Sequence, residues 1–114
     1  ALGGKESLKR YGTSYVPMDE ALARVSVDLG GRPYLVYNCN LSSEKVGNMA
    51  TELFEEFFRA FAFNADINLH IGLVYGSNNH HMVEAVFKAM GQALDEASRM
   101  DKRISGVMST KGTL

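Results

Sequence analysis

The sequence has almost no net charge, a single cysteine and no long apolar run, and each shortage excludes a class of protein. With 12 Lys and Arg against 13 Asp and Glu, the net charge is -1, and the basic residues are scattered, so we expect no nucleic-acid partner. Cys39 has no second cysteine with which to form an intrachain disulfide. Because no signal peptide and no membrane-length apolar run is present, we expect a cytoplasmic protein with no membrane partner.

The length and composition predict one domain with a modest core. The chain has 114 residues, of which 46% are hydrophobic, and it contains neither an internal repeat nor a low-complexity segment. Residues 1–114 are therefore expected to form a single unit. The sequence starts at Ala1 rather than at an initiator Met, and we expect it to begin inside a longer protein.

The first third of the chain has the pattern of three strands. Residues 9–16 are rich in strand formers, and Pro17-Met18-Asp19 is expected to end that strand. Residues 22–29 alternate with period two up to Gly30-Gly31, and residues 33–41 repeat the strand signature. We predict an antiparallel meander of three strands with a tight turn at Gly30-Gly31.

The remainder predicts helix, strand and helix. One apolar stripe is typical of a helix core and comprises Leu53, Phe54, Phe57, Phe58 and Phe61. Alternation from Ile67 to Leu73 predicts a fourth strand, and a second stripe comprises Val83, Val86, Phe87, Met90, Leu94 and Ala97. The order βββαβα predicts an α+β two-layer sandwich with both helices on one sheet face. The other face would then expose Tyr, Val and Cys side chains, which predicts an oligomer or a partner half.

His80 and His81 are expected in the first turn of the second helix, with Glu84 one turn further on. Imidazole and carboxylate groups are common metal ligands. At about 100° per residue the two histidines diverge, so one ion could take either with Glu84 but hardly both. The pattern fits two ions beside one helix, or one ion plus a histidine for proton transfer. It also fits a polar helix start that is capped by Asn78 or Asn79.

Two further polar features carry weaker signals. Ser109, Thr110, Lys111 and Gly112 near the C-terminus have the groups that cradle a phosphate, although a disordered tail has the same composition. His70 lies on the polar side of the fourth predicted strand, where it is expected to serve packing or the surface.

Several short motifs together resemble one family, in order and at similar spacing from Lys9 to Gly112. They are Gly31-Arg32-Pro33-Tyr34-Leu35, Thr51-Glu52-Leu53 with Glu55-Glu56-Phe57-Phe58, Leu69-His70-Ile71, His80-His81 with Glu84 and Phe87-Lys88-Ala89, and Ser109-Thr110-Lys111-Gly112. The chain resembles the C-terminal half of imidazoleglycerol-phosphate dehydratases, which contain two tandem βββαβα copies. The motifs of the N-terminal copy are not in this sequence. The resemblance therefore implies that residues 1–114 correspond to the C-terminal repeat.

The resemblance also implies a function in histidine biosynthesis. The family dehydrates imidazole glycerol phosphate to imidazole acetol phosphate, a lyase reaction, with manganese and in assemblies of twenty-four subunits. It implies His80, His81, Glu84 and Glu56 as ligands of two manganese ions per site, shared with the N-terminal half or with neighbouring subunits, and His80 and Glu84 as catalytic residues. Glu56 is equally explained as part of a solvated helix face.

For the substrate phosphate, the resemblance implies Arg10, Arg32, Lys88, Ser109 and Lys111. Each of the two arginines and Lys88 is otherwise explained as a surface charge, and Asp19 is expected to be structural. We expect the chain alone to hold half of each active site and to be inactive by itself. Two other hypotheses remain, namely a non-catalytic assembly module and a small metal-binding protein without elimination chemistry.

Overall fold

The computed structural model describes residues 8–100, which form a sheet of four strands with two helices against it. In chain order the elements are β1 (Tyr11–Met18), β2 (Ala21–Asp28), β3 (Tyr34–Asn38), β4 (Lys45–Val46), β5 (Met49–Ala50), α1 (Glu52–Ala65), β6 (Asn68–Tyr75) and α2 (Asn79–Ala97). The predicted α+β class and βββαβα order are confirmed, with a small β4–β5 hairpin added in the loop before α1. No helix in this part of the chain is long and apolar enough to cross a membrane.

The predicted meander is wrong in the placement of β3. The sheet order is β1-β2-β6-β3, with β1, β2 and β6 antiparallel and β3 parallel to β6. Gly30-Gly31 therefore begins a connection across the sheet, not a hairpin between neighbouring strands. β6 lies between β2 and β3, where its backbone forms hydrogen bonds along both edges. This central position suits the strand because its core-facing residues, Leu69 and Ile71, are fully buried.

Pro17 does not end the first strand as predicted, since β1 continues to Met18. β1 is an edge strand, where a residue without a backbone N–H is tolerated. The hairpin between β1 and β2 is formed by Asp19 and Glu20, which we call the acidic turn. Asp19 has φ 51°, in the left-handed region that an aspartate tolerates better than most residues. The acidic turn thus closes one end of the sheet.

The core lies between one sheet face and both helices. The predicted alternation of β2 is confirmed, with Ala21, Ala23, Val25 and Val27 buried. Their cross-strand neighbours on β6 face the same way, and the Tyr37 ring of β3 packs on Phe58 of α1. One continuous cluster therefore joins the sheet to α1 and α2.

The buried faces of the helices differ from the predicted apolar stripes, being narrower in α1 and shifted in α2. In α1 only Phe54, Phe58 and Ala62 are buried, while Leu53 and Phe57 are exposed, because the stripe spans more of the helix than the sheet covers. In α2 the buried face includes small residues that the stripe missed and comprises Met82, Ala85, Val86, Ala89, Met90, Ala93 and Ala97. Phe87 is 38% exposed and stacks against the α1 aromatics instead. Small side chains let α2 approach the sheet closely.

The second sheet face has no cover within residues 8–100. It carries Tyr11, Tyr15 and Tyr34, each more than half exposed, as the sequence predicts. Cys39 was expected on this face, but it packs against the core beside Tyr37 and Phe54, because it follows the core-facing Tyr37 by two residues and therefore lies on the same side of the strand.

Candidate functional site

Local contacts fix the start of α2 and with it the histidine pair, His80 and His81. Asn78 is the N-cap, and its side-chain oxygen accepts a hydrogen bond of 3.0 Å from the His81 backbone N–H. This confirms that an asparagine caps the helix. Asn79 instead contacts the loop before α1, donating to Ser43 Oγ at 2.8 Å and accepting from the Ser42 N–H at 3.1 Å. The first turn of α2 is therefore held from both sides.

His81 faces the acidic turn between β1 and β2. Its Nδ1 lies 2.8 Å from Glu20 Oε1, and its Nε2 lies 3.4 Å from Asp19 Oδ2. The second oxygen of Glu20 accepts backbone N–H groups from Ser77 at 3.0 Å and Asn78 at 2.7 Å. The residues meet because β2 pairs with β6, which places the β1–β2 hairpin beside the loop that leads from β6 into α2.

These contacts shift the acid–base behaviour of both partners. The pKa of Glu20 is lowered to about 2, first by the Asn78 backbone N–H and then by His81 and the Ser77 N–H. The hydrogen bond to Glu20 raises the pKa of His81 above its ordinary value, against a smaller opposing effect of burial. Glu20 is therefore an anion at neutral pH and acts only as an acceptor.

His80 points away from His81 and is the more exposed of the two. It exposes 73% of its side chain against 30% for His81, and its Nε2 lies 3.5 Å from Glu84 Oε1. The other oxygen of Glu84 is 3.1 Å from Lys88 Nζ, and this ammonium group lowers the pKa of Glu84. The two imidazoles thus diverge, as helical spacing predicts, and each has its own carboxylate partner.

Of the phosphate-binding candidates within residues 8–100, Lys88 joins this cluster through Glu84, whereas Arg10 and Arg32 do not. Arg10 precedes β1 and pairs with Asp28, with Nε 2.8 Å from Oδ1, while Arg32 is exposed in the loop before β3. Both arginines lie at the opposite end of the sheet from the histidine pair, about 25 Å away for strands of this length. Ser109 and Lys111 lie outside the described residues.

Glu56 is near the same sheet end as the histidine pair but does not contact it. It is exposed on α1, which begins where β3 and its following loop end. In the range 8–100, no three His, Cys, Asp or Glu side chains come together closely enough to hold one metal ion. His70 is half-buried on β6, at the side of the sheet without helices, and lies opposite Ser26 and Val36.

A hollow of about 400 Å³ lies beside the end of β3 and includes Tyr37, Cys39 and Glu55 in its lining. Burial raises the pKa of the Cys39 thiol, and burial likewise raises the pKa of the Tyr37 hydroxyl. A raised pKa lowers the fraction of thiolate, the nucleophilic form of cysteine, at neutral pH.

Sequence analysis missed Glu20 and assigned Asp19 a structural part only. The available signal was a pair of carboxylates directly after the first strand, at a hairpin turn. These carboxylates lie beside His81 only because β2 pairs with β6. The predicted meander placed β3 next to β2 instead.

Fold and geometry together define an α+β protein that presents imidazole and carboxylate groups at one end of its sheet. The model of the imidazoleglycerol-phosphate dehydratase family matches residues 1–94. Imidazoleglycerol-phosphate dehydratases of Acetivibrio thermocellus and Clostridium novyi are 66% and 61% identical over all 114 residues. The chain belongs to the imidazoleglycerol-phosphate dehydratase family.

Solved structures of the family have the same fold. The crystal structure of the Staphylococcus aureus enzyme superposes with a TM-score of 0.80 at 56% identity and covers 82% of this chain. The Pyrococcus furiosus enzyme gives a TM-score of 0.78 at 38% identity and covers 96%. The chain spans 58% of the length of the two curated relatives, and 55% and 60% of the two solved chains.

Proposed function

We propose that this chain supplies one half of the active site of an imidazoleglycerol-phosphate dehydratase. The reaction removes a hydroxyl group and a hydrogen from adjacent carbons of imidazole glycerol phosphate as water, and the resulting enol becomes the ketone imidazole acetol phosphate. Family membership supports the reaction. The single observation that carries the half-site is the divergence of His80 and His81 toward separate carboxylates at one end of the sheet.

The residues at the start of α2 fit manganese. His80, His81 and Glu84 offer imidazole nitrogens and a carboxylate, donors that suit a divalent ion of this kind, and Glu56 is a further oxygen donor at the same sheet end. Because residues 8–100 bring no three such groups together, we propose that the remaining ligands come from the N-terminal half or from a neighbouring subunit. When bound, the ions supply Lewis-acid chemistry and orient the substrate.

The ionisation of Glu84 limits its part in the reaction. Its pKa is lowered by Lys88, so it is a carboxylate at neutral pH. It can therefore hold a metal ion or accept a proton, but it is a poor proton donor. Lys88 balances the charge of Glu84, and because an ammonium group has three N–H donors it can contact a substrate phosphate at the same time.

The distance between the two arginines and the histidine pair supports an active site that is assembled from more than one subunit. Arg10 and Arg32 suit a phosphate, since a guanidinium binds it through two parallel hydrogen bonds. They lie too far from His80 to serve the same small substrate molecule. We propose that the arginines of one subunit, with Ser109 and Lys111, serve the metal site of another subunit.

An assembled site also gives the uncovered sheet face a function. The exposed tyrosines on the two edge strands of this face, with the polar side chains of β2 and β6 between them, offer a mixed surface on which a protein partner can pack. A large homo-oligomer that includes the N-terminal half, up to the twenty-four subunits that the resemblance implies, is our proposal for this contact. The small phosphorylated substrate of a biosynthetic enzyme further supports a cytoplasmic location.

Manganese binding by single-histidine variants tests this proposal. Titration calorimetry with Mn²⁺ should show weaker binding for His80→Ala and for His81→Ala than for the unchanged chain. The third histidine provides the control, because His70 lies on β6 away from α2, and His70→Ala should bind like the unchanged chain. Equal losses in all three variants, or no Mn²⁺ binding in the complete assembly, would overturn the metal-site proposal.

Analytical ultracentrifugation of the same samples tests the alternatives. We expect Mn²⁺ to promote assembly of the unchanged chain and of His70→Ala, but not of the other two variants. Assembly that is identical in all samples would favour a non-catalytic module. Metal binding without dehydration, in the presence of an N-terminal half, would favour a metal-binding protein without elimination chemistry.

A further inference from the structure

Glu20 holds two neighbouring elements at once. One oxygen contacts His81 Nδ1 at 2.8 Å, while the other accepts the Ser77 and Asn78 N–H groups at 3.0 and 2.7 Å. An oxygen that accepts two backbone N–H groups is strongly favoured as a carboxylate over a carboxylic acid. Glu20 is therefore a fixed acceptor, and the proton in its contact with His81 belongs to the imidazole.

We propose that Glu20 is a positioning residue that holds neutral His81 in the Nδ1–H tautomer, so that Nε2 is the nitrogen that binds metal. The inference rests on the proposed function, in which His81 is a metal ligand. A neutral imidazole has one N–H and one lone pair, and the hydrogen bond made by one nitrogen decides which nitrogen ligates. A carboxylate or carbonyl behind a ligating histidine commonly has this effect.

The surroundings of Nε2 agree with this assignment. Its nearest carboxylate oxygen is Asp19 Oδ2 at 3.4 Å, which is longer than a well-formed N–H···O hydrogen bond. The Asp19 side chain is 74% exposed, whereas Glu20 is 37% exposed and tied to the backbone. Nδ1 is thus firmly engaged, and Nε2 faces a side chain that can move aside or join the ligand set.

Replacing Glu20 with glutamine gives a sharp test. The Ser77 and Asn78 N–H groups still need an acceptor, so the glutamine oxygen should face them and its NH₂ group should face His81. Nδ1 then accepts a hydrogen bond, and the proton moves to Nε2. The substitution preserves the shape and the backbone contacts, but it reverses the tautomer and blocks the lone pair that would bind metal.

Nitrogen-15 NMR of the histidine side chains, at a pH well above the pKa of His81, reads the tautomer directly. We expect Nδ1–H in the unchanged chain and Nε2–H in Glu20→Gln. The matched control is Glu96→Gln, because Glu96 also accepts a backbone N–H, from Thr13 at 2.9 Å, yet lies at the other end of α2. A purely structural Glu20 would change stability but not the tautomer, so a mixed or unchanged tautomer in Glu20→Gln overturns the inference.

Manganese titration of the same variants separates this inference from the proposed function. We expect Glu20→Gln to weaken Mn²⁺ binding by about 10- to 100-fold and Glu96→Gln to leave it unchanged. Unweakened binding in Glu20→Gln would overturn the inference while the metal site stands. A reversed tautomer in a chain that binds no Mn²⁺ would instead sustain the positioning of His81 and overturn the proposed metal site.

Discussion

Gly12 on β1 lies directly against the backbone oxygen of Ala93 on α2. A Cβ atom added to Gly12 would collide with that oxygen and would lie 2.9 Å from the Ala97 N atom. The contact lets the C-terminal half of α2 rest on the edge of the sheet. Since α2 also carries the histidine pair at its other end, this contact helps to set where the candidate site lies relative to β1 and the acidic turn.

Gly12→Ala should therefore destabilise the fold. The added methyl group must push the helix backbone away from the sheet, and we expect a loss of about 1–3 kcal/mol in the free energy of unfolding. Urea denaturation followed by circular dichroism measures this loss. The control is Gly91→Ala on α2, where a Cβ meets no atom within 4 Å, and a gain of about 0.5–1 kcal/mol is expected from helix propensity. Equal stability of the two variants would contradict the proposed packing.

The α1 aromatics should differ sharply in their contributions to stability. Phe58 is 1% exposed and contacts the rings of Tyr37 and Phe87, so Phe58→Ala should lower the free energy of unfolding by about 3–5 kcal/mol. Phe63 is 49% exposed on the same helix, and Phe63→Ala should change this energy by about 0.5 kcal/mol or less. Urea denaturation of both variants is the measurement. Similar losses would mean that α1 buries a different face.

Stability should fall at both low and high pH because of the Glu20–His81 pair. The pKa of Glu20 is lowered from 4.5 to about 2, so its contribution is complete above pH 4.5 and is lost as the pH falls toward 2. The pKa of His81 is raised from 6.5, so its contribution is complete below pH 6.5 and is lost as the pH rises through the folded-state value. Thermal unfolding across this range should show both slopes.

Glu20→Gln should flatten both slopes, because it removes the carboxylate that shifts both titrations. Glu44→Gln is the control, since Glu44 is an exposed carboxylate in the loop before β4 and should leave both slopes in place. Unchanged slopes in Glu20→Gln would show that the pair does not form in solution.

Lys88 should control the ionisation of Glu84. Its ammonium group, 3.1 Å from Glu84 Oε2, is the main cause of the lowered pKa of that carboxyl. In Lys88→Met the Glu84 pKa should return toward 4.5, as measured by carbon-13 NMR of the carboxyl group. Lys45→Met, in the β4–β5 hairpin, is a control that removes the same charge elsewhere. No movement of the Glu84 pKa in Lys88→Met would contradict the ion pair.

Much of the fold could be predicted from local patterns. Alternation located β2 and β6, and the apolar period located α1 and α2, because these signals depend only on which side chains face the core. The pairing of β3 with β6 could not be predicted in this way. It depends on a crossover through α1, and the residues of β3 fit an antiparallel or a parallel neighbour equally well.

The candidate site likewise has one part that could be predicted from the sequence and one part that could not. Helical spacing predicted that His80 and His81 diverge and that Glu84 lies one turn beyond them, since one helix contains all three. Glu20 lies 61 residues from His81 in sequence and meets it only through the sheet order. The small residues on the buried face of α2 were missed for another reason, because alanine gives a weak apolar signal even where it permits the closest packing.

The most direct test of the half-site is dehydration by a completed protein. The chain would be fused to the part of the Acetivibrio thermocellus dehydratase that it does not match, and imidazole acetol phosphate would be measured with and without manganese. We expect manganese-dependent product from the fusion, none from the chain alone, and none from the fusion carrying His80→Ala. A folded, assembled fusion that forms no product, or one that keeps full activity with His80→Ala, would contradict the account.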